Sequence, residues 1–268
     1  MTEPTPDAAE SRPRPDLREA DRPVLVAEGV STTVGGFTLH PVDLRVRAGE
    51  TVCLLGANGA GKTTLLRCLL ALLPHSGVVR IDGRRASRRE TAWLADVGVV
   101  PDDMDELIDE LTAEEHWELH AALLTADGQR RASLLCRARS LARELQLHPE
   151  PGLLTAGFSH GMRKKTQLVT ALMHAPQLLI LDEPRNGLDP AGIAVMERLQ
   201  CRHCAAGGAI LAASHDLRWV ERIADRVVIL SQGRVAAVGA PADLRRAGED
   251  FVDAFFRLTE SEPSVSVP

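Results

Sequence analysis

With 268 residues, 44% of them hydrophobic and 25% charged, the chain can bury a full core, as one large domain or one domain with an inserted lobe. No run of about 18 apolar residues occurs, so no membrane-crossing segment is expected, and the leading MTEPTPDAAESRPRPD lacks the apolar stretch of a secretion signal. A net charge of −6 disfavours a nucleic-acid partner, and five cysteines, an odd number, fit reduced thiols in a cytosol better than a disulfide framework.

Residues 1–22, rich in Pro, Glu and Arg, and the closing SEPSVSVP read as disordered tails. A folded unit is expected over 23–245, with a C-terminal helix and the second tail over 246–268. VLVAEGV and TLHPVDLRV read as paired strands around the turn VGG, followed by the apolar strand TVCLLG. GVVRIDG and then DVGVV continue the β-rich first part. From Leu111 the period changes. Thr112 followed by Glu115 forms a capping box that opens a helix through EEHWELHAALL. Leu134, Ala138, Leu141 and Leu145 then recur at helical spacing, so a helical lobe over about 104–157 stands inserted between two α/β portions. Beyond it LLILD, AGIAVMERLQ, AILAAS, LRWVERIAD and RVVIL alternate strand and helix, the pattern of a mostly parallel sheet covered on both faces. In QCRHCAAGG, Cys201 and Cys204 have metal-ligand spacing, but a zinc site needs four ligands and no second pair is near. Two thiols on a helix end are the simpler reading.

The most specific string is GANGAGKTT, Gly56 to Thr64, which satisfies G-x-x-x-x-G-K-[ST] between an apolar strand and a helical run. Gly56, Gly59 and Gly61 let the backbone curl around phosphate oxygens, so the loop through Asn58 and Ala60 to Thr64 is a candidate phosphate cradle, with the dipole of the following helix behind it. Lys62 supplies a point charge for the β and γ phosphates, and the Thr63 hydroxyl can ligate Mg²⁺. Such a loop alone leaves GTPases, kinases and ATPases open. In LLILDEP a buried strand ends at Asp182, a second candidate Mg²⁺ ligand, and Glu183 follows where it can orient and polarise an attacking water.

GFSHGM, from Gly157 to Met162, has two readings. It contains G-x-S-x-G, the turn that presents a nucleophilic serine in many hydrolases, and Asp182 and His215 follow Ser159 in hydrolase order. That turn needs a buried strand directly before the serine, whereas PEPGLLTAGF offers two prolines and two glycines.

Over about residues 24–240 the chain resembles the nucleotide-binding subunits of ABC transporters, through GANGAGKTT, FSHGM, LLILDEP, NGLDP and ILAASH in that order. The resemblance implies an α/β P-loop NTPase fold with a mostly parallel sheet, an N-terminal antiparallel β part and an inserted helical lobe. It makes FSHGM the signature motif, in which Ser159 and Gly161 contact ATP bound to a partner subunit, and it implies a communicating role for Asp189 in NGLDP. His215 becomes a switch histidine that contacts the γ-phosphate and supports Glu183. A histidine at a strand end is usually structural, so this role rests on the resemblance.

Several positions depart from the family pattern. An aromatic normally stacks on adenine from the turn after the first strand, where VSTTVGG places Val34, with Phe37 three residues on. Asp102 stands where a glutamine is usual, reaching less far toward a metal-bound water, and Arg185 replaces a small residue after DEP. One phosphate loop and one signature imply a dimer of ATP-binding subunits around two ATP molecules. With no membrane segment, separate integral permease subunits and a place on the cytoplasmic face of the membrane are implied too. The expected activity is a Mg²⁺-dependent ATPase driving transport, in the style of bacterial exporters. The alternatives are a soluble ABC ATPase acting on a macromolecule and a regulatory subunit with weak turnover. Trp93, Trp117 and the apolar face near Leu123 are candidates for permease docking, with core packing the rival reading.

Overall fold

The computed structural model describes residues 22–102 and 107–260; the two expected tails and the first residues of the expected lobe lie outside these ranges. The hairpin β1 (Pro23–Val34) and β2 (Phe37–Arg47) turns at Gly35 and Gly36, with φ of 56° and 82°, the positive values that a two-residue hairpin turn requires. There follow β3 (Thr51–Leu55), α1 (Lys62–Leu69), β4 (Ser76–Ile81), β5 (Arg84–Arg85) and β6 (Val97–Val100). Next come α2 (Ala113–Leu124), α3 (Gly128–Glu144), α4 (His160–Leu172), β7 (Leu178–Asp182) and α5 (Pro190–Ala205). The chain continues through β8 (Ala209–Ser214), α6 (Leu217–Ile223), β9 (Arg226–Ser231), β10 (Arg234–Gly239) and α7 (Phe251–Glu260).

Two sheets result. An antiparallel sheet has the order β2-β1-β4-β5, and a larger one the order β10-β9-β3-β8-β7-β6, parallel from β9 to β6, with β10 antiparallel at one edge. The strands β3 and β6, which in sequence continue the β-rich first part, thus belong to the parallel sheet, β6 at its edge. Every residue of β3, β7 and β8 is buried, as strands covered on both faces must be. Their alternation splits the core. Val52, Leu54, Ile180 and Leu211 face the antiparallel sheet and Leu65 and Leu69 of α1. Cys53, Leu55, Leu179 and Leu181 face the other helices, including Leu168 of α4 and Met196 of α5.

The lobe forms as its periodicity indicates: Ala138, Leu141 and Leu145 are buried and Leu134 packs against them. Trp93 and Trp117, at 3% and 4% exposure, are core residues and offer no docking surface; Leu123, 78% exposed, does lie on the outside. Cys201 is exposed and Cys204 buried near the end of α5. The C-terminal helix α7 is no appendage, since Phe251 and Phe255 enter the same core as α6 and β9. Among the described residues no helix is long and apolar enough to cross a membrane.

The capping box closes at the start of α2: the Thr112 hydroxyl accepts from Glu115 N (3.2 Å) and Glu115 Oε2 accepts from Thr112 N (2.8 Å). The Thr112 backbone amide, then its hydroxyl, hold the Glu115 carboxyl below its usual range. We therefore expect Thr112→Ala to destabilise the protein by about 0.5–2 kcal/mol at neutral pH, read from urea denaturation. Because the folded pKa of Glu115 is depressed, its part in the cap is fully present above the ordinary glutamate pKa and fades as pH falls through the lowered one. The penalty of the substitution should shrink in the same window.

Candidate nucleotide site

The site lies at the carboxyl ends of the parallel strands, where ligands of open α/β sheets bind. Beyond β3 the chain curls through residues 56–61 into α1, with Gly61 at φ 108°, a conformation costly for any residue with a Cβ. A Cβ there would also stand 2.9 Å from the Phe37 ring, so the hairpin packs directly on this loop. The buried Lys62 ammonium donates to the Gly56 and Ala57 carbonyls, at 2.7 and 3.4 Å.

The carboxylates come from neighbouring strands. The Thr63 hydroxyl donates to Asp182 Oδ2 at 2.9 Å, joining α1 to the end of β7. Burial pushes the Asp182 carboxyl upward, Thr63 and Lys62 pull it down, and Asp102 and Glu183 add to the rise. Glu183 takes a positive φ of 44°, rare for a non-glycine residue, while its amide bonds the Ala213 carbonyl at 2.9 Å. Since Asp182 pairs with Ala213 in register, Glu183 falls beside Ser214 and His215. Ser214 Oγ donates to Glu183 Oε2 at 3.1 Å, and His215 Nδ1 lies 2.9 Å from Oε1. The carboxylate is thereby held on both oxygens.

Asp182, Glu183 and His215 line a cavity of about 510 Å³ together with Val34, Phe37, residues 57–64, Asp102 and Asn186. Three carboxylates, Asp102, Asp182 and Glu183, share it with one ammonium, a balance that a divalent cation would redress. Among the described residues no three His, Cys, Asp or Glu side chains converge on one point. The donor set is thus a hydroxyl and one or two carboxylates, which suits Mg²⁺ completed by water and phosphate oxygens.

A family model described as ABC transporter matches residues 39–186. The ABC-type transporter ATP-binding protein EcsA of Bacillus subtilis is 33% identical over 81% of this chain and 88% of its own length. Nod factor export ATP-binding protein I of Paraburkholderia xenovorans is 35% identical over 85% of this chain and 73% of its own. Linearmycin resistance ATP-binding protein LnrL of Bacillus subtilis is 30% identical, over 85% and 73%. A solved ATP-binding subunit of an ABC transporter superposes with a TM-score of 0.81 at 32% identity, covering 88% of this chain and 99% of that one. The chain belongs to the ABC transporter ATP-binding family.

Within this ABC ATP-binding subunit the structure separates the sequence candidates into two groups. Asn58 through Thr64, Val34, Asp102, Asp182, Glu183 and His215 line the cavity, and Gly56 contributes the carbonyl that holds Lys62. Ser159, Gly161 and Asp189 do not line it. Ser159 caps α4, its hydroxyl accepting from Met162 N at 3.3 Å, and it follows a short 3-10 turn at Thr155–Gly157 where a nucleophile would need a strand. With Asp182 engaged by Thr63 and His215 by Glu183, no hydrolase triad forms. Gly161 packs against the Gly187 carbonyl, and Asp189 caps α5 through Gly192 N at 2.8 Å. Val34, 43% exposed, lies at the open side of the cavity, and Phe37 is half-buried.

Three contacts escaped the sequence reading. Ser214 grips Glu183, and the signal for it was its place immediately before His215 at a strand end. Asn186 Nδ2 donates to Asp102 Oδ1 at 2.8 Å across 84 residues of chain, for which no local signal exists. Arg185 pairs with Asp216, the cap of α6, and so ties the loop after Glu183 to the loop after His215. Loss of a hydrogen bond to a charged group should be costly, so Ser214→Ala is expected to lower ATP turnover about 10- to 100-fold. Ser214→Thr, which keeps the hydroxyl, should retain most of it in a phosphate-release assay.

Proposed function

We propose that this chain is a Mg²⁺-dependent ATPase subunit that pairs with a second ATP-binding subunit around two ATP molecules. In this reading it drives export through separate integral membrane permease subunits from the cytoplasmic face. The observation that carries it is the Glu183 carboxylate, one residue beyond the Thr63–Asp182 pair and held by Ser214 and His215. A carboxylate so fixed can orient a water and accept its proton.

Lys62 and the backbone amides of residues 58–64 bind the phosphates, His215 contacts the γ-phosphate through its exposed ring, and Thr63, Asp182 and Asp102 face Mg²⁺. A Mg²⁺ ion held by these side chains would supply positive charge against the phosphate oxygens. Val34, or Phe37 from the same hairpin, borders adenine. Ser159 and Gly161 at the start of α4, and Asp189 at the start of α5, serve the partner subunit's nucleotide, which fits their position outside this subunit's own cavity. The direction of transport is inferred from relatives named for Nod factor export and linearmycin resistance.

Glu183→Gln keeps the shape of the side chain but not its basicity. It should cut ATP turnover by about 100-fold or more while ATP binding, measured by calorimetry, persists. Turnover at the wild-type rate would overturn the reading. In the Glu183→Gln background ATP should drive dimer formation on size-exclusion chromatography. Ser159→Arg should abolish that dimer and leave nucleotide binding to the monomer nearly intact.

A further inference from the structure

Lys164 is the most unusual charged residue of the fold. Its side chain is wholly buried on α4, and its ammonium donates to the Pro101 carbonyl at 2.6 Å. An ammonium held out of water must be matched by hydrogen-bond acceptors, and the Pro101 carbonyl is one of them. The residue before it does a different job, since Arg163 holds Asp109 and the Thr155 carbonyl, both at 2.8 Å, within the lobe.

What Lys164 grips is the peptide that leads into the nucleotide cavity. Pro101 follows β6 directly, and Asp102, the next residue, lines the cavity. The proline ring fixes φ at Pro101, which leaves ψ as its one free backbone torsion. The direction of the Pro101 carbonyl reports that torsion, so a bond to this oxygen sets how the chain enters Asp102. On the other side Asp102 Oδ1 accepts from Asn186, on the loop that follows Glu183. A carboxylate on a short stem depends on such backbone placement more than a longer side chain would.

We propose that Lys164 is a positioning residue: through the Pro101 carbonyl it fixes Asp102 toward Mg²⁺ and thereby ties α4, which Ser159 caps, to the nucleotide cavity. The proposal rests on the assignment of Asp102 made above.

Two measurements test it, the gain in ATP affinity on adding Mg²⁺, by calorimetry, and steady-state turnover. Lys164→Met keeps the length and apolar stem of the side chain, and a single cooperative thermal melt checks that it folds. Its ATP affinity without Mg²⁺ should stay unchanged, since Lys62 and the phosphate loop are intact. The Mg²⁺-dependent gain and turnover should each fall about 10- to 100-fold, as for other residues that orient a metal-facing group. Asn186→Ala, at an exposed position, should move the same two quantities in the same direction, and Lys164→Met added to Asp102→Ala should have no further effect. A Lys164→Met protein with a normal Mg²⁺-dependent gain and normal turnover would overturn the proposal, as would effects that add to those of Asp102→Ala. If Lys164→Met does not fold, Pro101→Ala and Asn186→Ala carry the test, and normal values in both reject it. A normal Lys164→Met beside an inert Glu183→Gln sinks only this inference, whereas an active Glu183→Gln sinks the ATPase reading itself.

Discussion

The parallel register of β3, β8 and β7 governs the nucleotide site. Leu55 lies opposite Ser214, and Ala213 opposite Asp182, so three strands end nearly level. The phosphate loop leaves the first, the Ser214–His215 pair closes the second, and the Asp182–Glu183 pair closes the third. A slip of one residue would exchange the side chains that pack into the two core layers, so close packing on both faces specifies the register. The spacing of these groups is therefore set by the strand ladders and the two core layers, and the bonds from Thr63 to Asp182 and from Ser214 to Glu183 complete it.

The same alignment has a cost that the structure leaves visible. Burial works against the Asp182 charge, and Glu183, the next residue, holds a positive φ. Both are local departures from what stability alone would choose, and both residues line one cavity. Such departures are tolerated where a site for binding and chemistry needs them.

The features legible in the sequence were those confined to a short stretch of chain. The phosphate loop, the capping box at Thr112 and Glu115, the helical spacing of Ala138, Leu141 and Leu145, and the apolar runs of β3, β7 and β8 are fixed by neighbours within a few residues. What could not be read depends on distant segments meeting. Asn186 and Asp102, or Lys164 and Pro101, become partners only once α4 and the loop after β7 lie against the end of β6. The tryptophans are a case that the sequence leaves open. A large amphipathic ring looks equally suited to an interface or a core, and only the packing around Trp93 and Trp117 decides for the core.

The hairpin that carries Val34 and Phe37 belongs to the antiparallel sheet, whereas Asp182, Glu183 and His215 stand at the ends of parallel strands. In the proposed function the base and the phosphates are therefore held from different sheets, which share a core layer and meet at the cavity where Phe37 lies against Gly61. Substitutions in the hairpin can retune which nucleobase is favoured while the hydrolytic groups keep their spacing. A change of base preference at Val34 would then need no compensating change at Asp182, Glu183 or His215.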